Sequence, residues 1–189
     1  MLREKLEEIR ARRGRTVNVR GPLDWIAVII ATGFGVGFIP FAPGTFGSLL
    51  GAVIFYFLSL QPILFFRPNL LQNSVLALAV LTAWAGTWAS TRAEKIFDRK
   101  DAGQIVIDEV CGQLVTFAFV PVHLSKEVLI VSLTGFLLFR FFDITKPYPI
   151  RRMETLGEGL GVMADDILAG LYGALVLSFL LPFIASVWR

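Results

Sequence analysis

The chain has 189 residues but only one cysteine, Cys111, and one histidine, His123. A single thiol excludes an internal disulfide framework and a four-cysteine zinc site. With one imidazole besides, zinc is a poor candidate for a resident metal. Charge is scarce too: Asp, Glu, Lys and Arg make up 17% of the chain, against about 25% in a soluble domain. That scarcity excludes a disordered chain and a charged coiled coil. Several catalytic signatures are also missing. No Gly-Lys-Ser/Thr follows the glycine-rich stretch at 33–47, so there is no P-loop, and its glycines are spaced wrongly for a dinucleotide fingerprint. Cys111 is followed six residues on by Phe117, which excludes a Cys-x5-Arg phosphate loop. Asp143-Ile144-Thr145 lacks the second acid of an Asp-x-Asp phosphatase. No Asp-Gly pair occurs, which argues against a two-metal head-group transferase.

What the chain has in quantity is apolar sequence. Apolar residues reach 55%, and the mean hydropathy is +0.68. The length is that of one domain. A bilayer core takes about 17–25 helical residues, so four stretches read as spans: Leu49–Phe66, Leu70–Ala89, Val128–Phe142 and Ile167–Trp188. A fifth, Val110–Val122, is marginal at about 20 Å of helix. Leu23–Thr32 reads as an interfacial or half-inserted helix. The expected fold is an all-α, polytopic membrane bundle over 23–189, preceded by a polar segment at 1–22. In that segment Leu2, Leu6 and Ile9 share one helical face among Arg3, Arg10, Arg12 and Arg13. This reads as a short amphipathic helix on an anionic lipid surface, or equally as a solvated arm. The short run Trp25–Ala31 with no cleavage site after it argues against a signal peptide.

With five spans and a cytoplasmic N-terminus, fifteen of the 18 Lys and Arg fall on the cytoplasmic side. This is the asymmetry of the positive-inside rule. Fourteen of the 15 Asp and Glu fall there as well, Glu127 being the exception. Acids do not follow that rule, so their gathering on one face points to a site.

Four blocks on that face carry candidate chemistry. Pro43-Gly44-Thr45 and Ser48 open a long apolar helix, whose free N–H groups suit a phosphate; a capped helix after a tight turn is the alternative. Asp108-Glu109 follow Asp101 and stand at the start of another apolar helix. A first-turn acid gains only about 0.3–1 kcal/mol from the helix dipole, whereas one at mid-membrane costs about 2.5–3.5 kcal/mol. The pair therefore belongs near the apolar boundary. Both can reach one ion only if the helix begins there. Arg140 and Asp143 lie three apart on one helical face, with Lys146 a turn on and Pro147 as the stop; a snorkelling span end is the bland reading. Asp165-Asp166 lead into the last span, where Asp165 alone reads as an N-cap. Together, hard oxygen ligands, bases and a phosphate-friendly helix end describe a Mg²⁺-dependent phosphate site. His123 reads as a loop residue on the far side.

These blocks, in this order over most of 31–173, resemble the phosphatidylglycerophosphatase A family. The match rests on Gly33-Phe34-Gly35 with Ala42-Pro43-Gly44-Thr45-Phe46-Gly47-Ser48, on Ile105-Val106-Ile107-Asp108-Glu109-Val110-Cys111-Gly112, on Arg140-Phe141-Phe142-Asp143-Ile144-Thr145-Lys146-Pro147, and on Gly161-Val162-Met163-Ala164-Asp165-Asp166. The resemblance implies an all-helical, Mg²⁺-dependent enzyme of the bacterial inner membrane. Its substrate would be phosphatidylglycerol phosphate, cut to phosphatidylglycerol and phosphate at the cytoplasmic face. Asp108, Glu109, Asp165 and Asp166 would hold metal. Arg140, Lys146, Gly44, Thr45 and Ser48 would hold phosphate, and Asp143 would orient Arg140 or join the metal shell. Asp101 has an ordinary turn role open to it. A carboxylate attacking phosphorus directly stays open beside an activated water. The partners are the lipid substrate and the bilayer, with no nucleic acid and no obligate protein partner inferred. A small cation or proton transporter is the rival reading, but its acids would sit at mid-membrane.

Overall fold

The computed structural model describes residues 19–120, 128–153 and 158–187. All regular structure among them is helical: α1 (Pro22–Ala31), α2 (Pro43–Ser59), α3 (Pro62–Phe65), α4 (Pro68–Phe97), α5 (Ile107–Ala118), α6 (Val128–Thr145), α7 (Ile150–Met153) and α8 (Glu158–Val187), with one 3₁₀ turn at Val36–Phe38. The first four begin on proline. Its fixed φ suits a first turn, and its missing N–H is one a helix leaves unpaired there anyway. Between α1 and α2 the chain reverses through Gly33, Phe34 and Gly35, all at positive φ. The N–H of Val106 then bonds the Ala31 carbonyl at 2.8 Å, tying the approach to α5 onto the end of α1.

α5 is the axis of the molecule. Every residue from Val110 to Ala118 is buried, against α2, α4 and α8. Phe117 stacks on Phe55 of α2 with ring centroids 4.0 Å apart. Small residues bring the backbones together, as they do where lipid supplies no hydrophobic force between helices. A Cβ on Gly112 would stand 2.5 Å from the Asp166 carbonyl oxygen, and one on Gly170 would collide with the Gly112 carbonyl. A Cβ on Gly51 would stand 2.8 Å from Gln113 Cβ. The sheath is different. α4, α6 and α8 are long and apolar enough to cross a membrane, and large apolar side chains on each are exposed.

Several sequence expectations need correction. Leu49–Phe66 is not one helix: α2 starts earlier, at Pro43, and stops at Ser59, and α3 is a separate turn. The residue before Pro62, Gln61, is extended (ψ 125°), as the proline ring demands. Val110–Val122, whose crossing the sequence left open, is described as far as residue 120. α5 covers 107–118, about 18 Å, too short for a bilayer core of about 30 Å. Among the described residues three helices have the length and apolarity to span, where the sequence offered four stretches and a marginal fifth. The last helix starts at Glu158, so Asp165 and Asp166 lie two turns inside it rather than at its cap. The proposed amphipathic helix within 1–22 falls mainly on 1–18, and His123 on 121–127; both lie outside the described residues.

Candidate active site

α5 begins at Ile107, so Asp108 and Glu109 are its second and third residues. That position resolves the spacing question left by the sequence: in a first turn both side chains can turn to one point. α8 brings Asp166 to the same place. Asp108, Glu109 and Asp166 each offer a carboxylate oxygen within 4.8 Å of the others. The close passage of Gly112 beneath the Asp166 backbone sets this approach. The C-terminal end of α6 closes the site. Lys146, just past Thr145, takes a positive φ of 41°, and its Nζ donates to Asp165 Oδ2 at 2.7 Å. One turn earlier, Arg140 pairs with Asp143 across i, i+3.

These groups surround a cavity of about 430 Å³. Asp101, Asp108, Glu109, Asp143, Asp165 and Asp166 line it, together with Lys100 and Lys146. Asp108, Asp165 and Asp166 are buried. Burial, first, and then the charge of Glu109 hold the Asp108 carboxyl well above its usual range. Burial also raises Glu109, partly offset by its hydrogen bond with Asp108. Asp108 Oδ1, Glu109 Oε2 and Asp165 Oδ1 are buried without a hydrogen-bond partner. A buried carboxylate oxygen without a partner is costly unless something positive meets it.

The start of α2 stands behind this cavity rather than on its wall. A Cβ on Gly44 would collide with Glu109 Oε1, so the glycine makes room for that carboxylate. Ser48 donates to the Gly44 carbonyl at 2.9 Å and accepts from Arg140 Nη1 at 3.4 Å. The Thr45 N–H turns back to the Ala42 carbonyl at 2.9 Å. Gly44, Ser48 and Arg140 are thus joined to the cavity through Glu109 and Asp143, while Thr45 is not among the residues that line it. Asp101 sits at positive φ (47°) in a turn, its N–H held by Glu94 Oε1 at 2.8 Å, and it does line the cavity. Sequence reasoning passed over Lys100. Its only signal is adjacency to Asp101, and cations in an exposed turn are common.

A family model described as phosphatidylglycerophosphatase A matches residues 29–181. A Bacteroides thetaiotaomicron protein, proposed by its name to be a phosphatidylinositol-3-phosphatase, is 39% identical over 154 residues, 82% of this chain and 92% of that one. Phosphatidylglycerophosphatase A of Haemophilus influenzae is 38% identical over 150 residues, 78% of this chain and 84% of its own. The Escherichia coli K12 protein of the same name is 35% identical over 153 residues, covering 80% and 81%. No solved structure matches the chain significantly.

Proposed function

Because the chain belongs to the phosphatidylglycerophosphatase A family, we propose that it hydrolyses the terminal phosphate monoester of phosphatidylglycerol phosphate at the carboxylate cavity, with Mg²⁺. The observation that carries the metal is the charge of the cavity. Six acidic residues line the cavity against two lysines, and a hard cation among them would offset the repulsion that a phosphate meets there. The donor set fits a hard divalent ion: all oxygen, three residues converging within 4.8 Å, and unpartnered oxygens on Asp108 and Glu109. Asp108, Glu109 and Asp166 would hold it, with Asp165 beside them. A divalent ion bound there supplies charge neutralisation at the phosphoryl oxygens and a water acidic enough to attack at neutral pH.

The chain's own residues do the rest. Lys146 and Lys100 present N–H donors on the cavity wall, where they stabilise charge developing on the transferred phosphoryl. Lys146 is steadied by Asp165, and Arg140 is held between Asp143 and Ser48. Arg140 thereby positions Asp143, which lines the cavity directly.

The distribution of cations supports one orientation. Among the described residues Arg20, Arg92, Lys95, Arg99, Lys100, Arg140, Lys146, Arg151 and Arg152 lie towards the cavity end of the bundle, and Arg67 lies at the other. The positive-inside rule then turns the cavity to the cytoplasm of a bacterial inner membrane.

The test is phosphate release by the detergent-purified chain from phosphatidylglycerol phosphate, with Mg²⁺ and with EDTA. Phosphatidylinositol 3-phosphate runs in parallel, because one relative's name points there. Release that requires Mg²⁺ and favours the glycerol lipid is expected. Release undiminished by EDTA would remove the metal, and preference for the inositol lipid would change the substrate.

A further inference from the structure

A second concavity lies apart from the carboxylate cavity. It is a groove of about 1000 Å³ between the start of α1, the C-terminal half of α4 and the first turn of α8. The two spaces share no lining residue. Leu160 faces the groove, and its neighbours Gly161 and Val162 face the carboxylates.

The composition of the groove changes along α4. Trp84 and Trp88 come first, both exposed. Arg92 and Lys95 follow, and Arg20 joins them from the segment before α1. The one acid, Asp24, is already engaged. It accepts from Arg92 Nε at 2.6 Å and from the Arg20 N–H at 2.8 Å. Three cations against one carboxylate leave the upper groove positive.

Depth makes sense of this order. α4 has 30 residues, about 45 Å of helix, against a hydrocarbon core of about 30 Å. Its last turns therefore reach head-group level. Counted from Pro68, about 30 Å of rise ends near Trp88, so Trp88 stands at the interface, where tryptophan concentrates, Trp84 lies one turn deeper, and the cations stand just beyond, where anionic lipid phosphates lie.

We propose that this groove binds one anionic glycerophospholipid. Its phosphate lies against Arg20, Arg92 and Lys95, and an acyl chain runs along Trp84 and Trp88. The site is separate from the carboxylate cavity and needs no hydrolysis there, so either assignment can fail without the other.

The probe is phosphatidylglycerol with dibrominated acyl chains, a phosphodiester, compared with equally brominated phosphatidylcholine. Each is titrated into the full chain carrying Trp25→Phe and Trp188→Phe, so that only Trp84 and Trp88 report. Bromine should quench their fluorescence at a lower mole fraction of the anionic lipid, by about fivefold for each cation that counts. Arg20→Gln with Lys95→Gln should bring the two lipids level while the protein keeps its helical signal and a monodisperse peak. Equal quenching by the two lipids, a preference that survives the double substitution, or no quenching by either lipid would each overturn the proposal.

Discussion

α5 and α8 are both apolar helices, yet their surroundings are opposite. On α8, Leu171, Leu175, Phe179 and Phe183 recur every fourth residue and all are exposed. On α6 the same stripe is Leu129, Leu133 and Leu137. α5 has no exposed residue. Apolarity therefore serves two ends here: a surface that meets lipid, and a wall that meets only protein. The difference bears on the acids. Lipid offers a carboxylate nothing, so ionisable groups at membrane depth turn to the protein interior. α5, enclosed by α2, α4 and α8, can carry Asp108 and Glu109 at its start because the end of α6 brings Arg140 and Lys146 to the same place.

The contrast can be pressed hardest at the acids. Asp108→Asn and Asp166→Asn should each lower phosphate release by at least about 100-fold, the scale on which loss of one transition-state contact is felt. Leu175→Ala on the lipid stripe should leave the rate within about twofold, since its side chain touches neither the cavity nor α5's seam. A folded Asp166→Asn variant with near-normal turnover would break the assignment of the enclosed helix to catalysis.

A smaller effect is expected at the seam. Gly112→Leu puts a side chain where a Cβ alone would stand 2.5 Å from the Asp166 carbonyl. Overpacking of this kind costs about 1–3 kcal/mol. In detergent melts it should lower the unfolding temperature clearly, whereas Leu175→Ala should shift stability by no more than about 0.5 kcal/mol. Equal shifts would mean that the enclosed and exposed helices are packed alike.

The smallest effect concerns the rim. The Arg20 N–H, first, and then Arg92 hold the Asp24 carboxyl below its usual range. A carboxyl lowered on folding contributes stability above its unfolded pKa of about 4 and loses it as pH falls through the lower folded value. Wild type should thus outlast Asp24→Asn at neutral pH, and the two melting curves should converge in acid. A gap that does not close there would deny Asp24 its ion-pairing role.

Much of this was readable from residues alone, for physical reasons that differ from place to place. The three charged blocks, at 101–109, 140–146 and 165–166, could be found because carboxylates in apolar sequence need a cause. The Arg140–Asp143 pair follows from helical spacing. The start of α8 was hidden by Gly157-Glu158-Gly159-Leu160-Gly161, which reads as a loop because helical glycine costs about 1 kcal/mol. Tertiary packing outweighs that cost: a Cβ on Gly159 would stand 2.6 Å from both the Thr87 carbonyl oxygen and the Thr91 nitrogen. The end of α2 did carry a signal, the Gln61-Pro62 step, inside a run too apolar for it to stand out. Asp24 and Arg92 are 68 residues apart, and no local pattern joins them. The groove beside them belongs to three elements at once and has no signature in any one.

Cys111, the only thiol in the chain, is sealed within α5, its Sγ 3.5 Å from the Ala79 carbonyl oxygen. Chemically, then, the protein is born without a reactive handle, and any handle added to its surface will be the only one. Gly103 is exposed at the cavity end and has open space where a Cβ would go; Arg67 is exposed at the opposite end. A maleimide that cannot cross a bilayer, offered to whole cells bearing Gly103→Cys or Arg67→Cys before the chain is purified, would label from one side only and so read the orientation of the bundle with no label from the chain's own buried thiol.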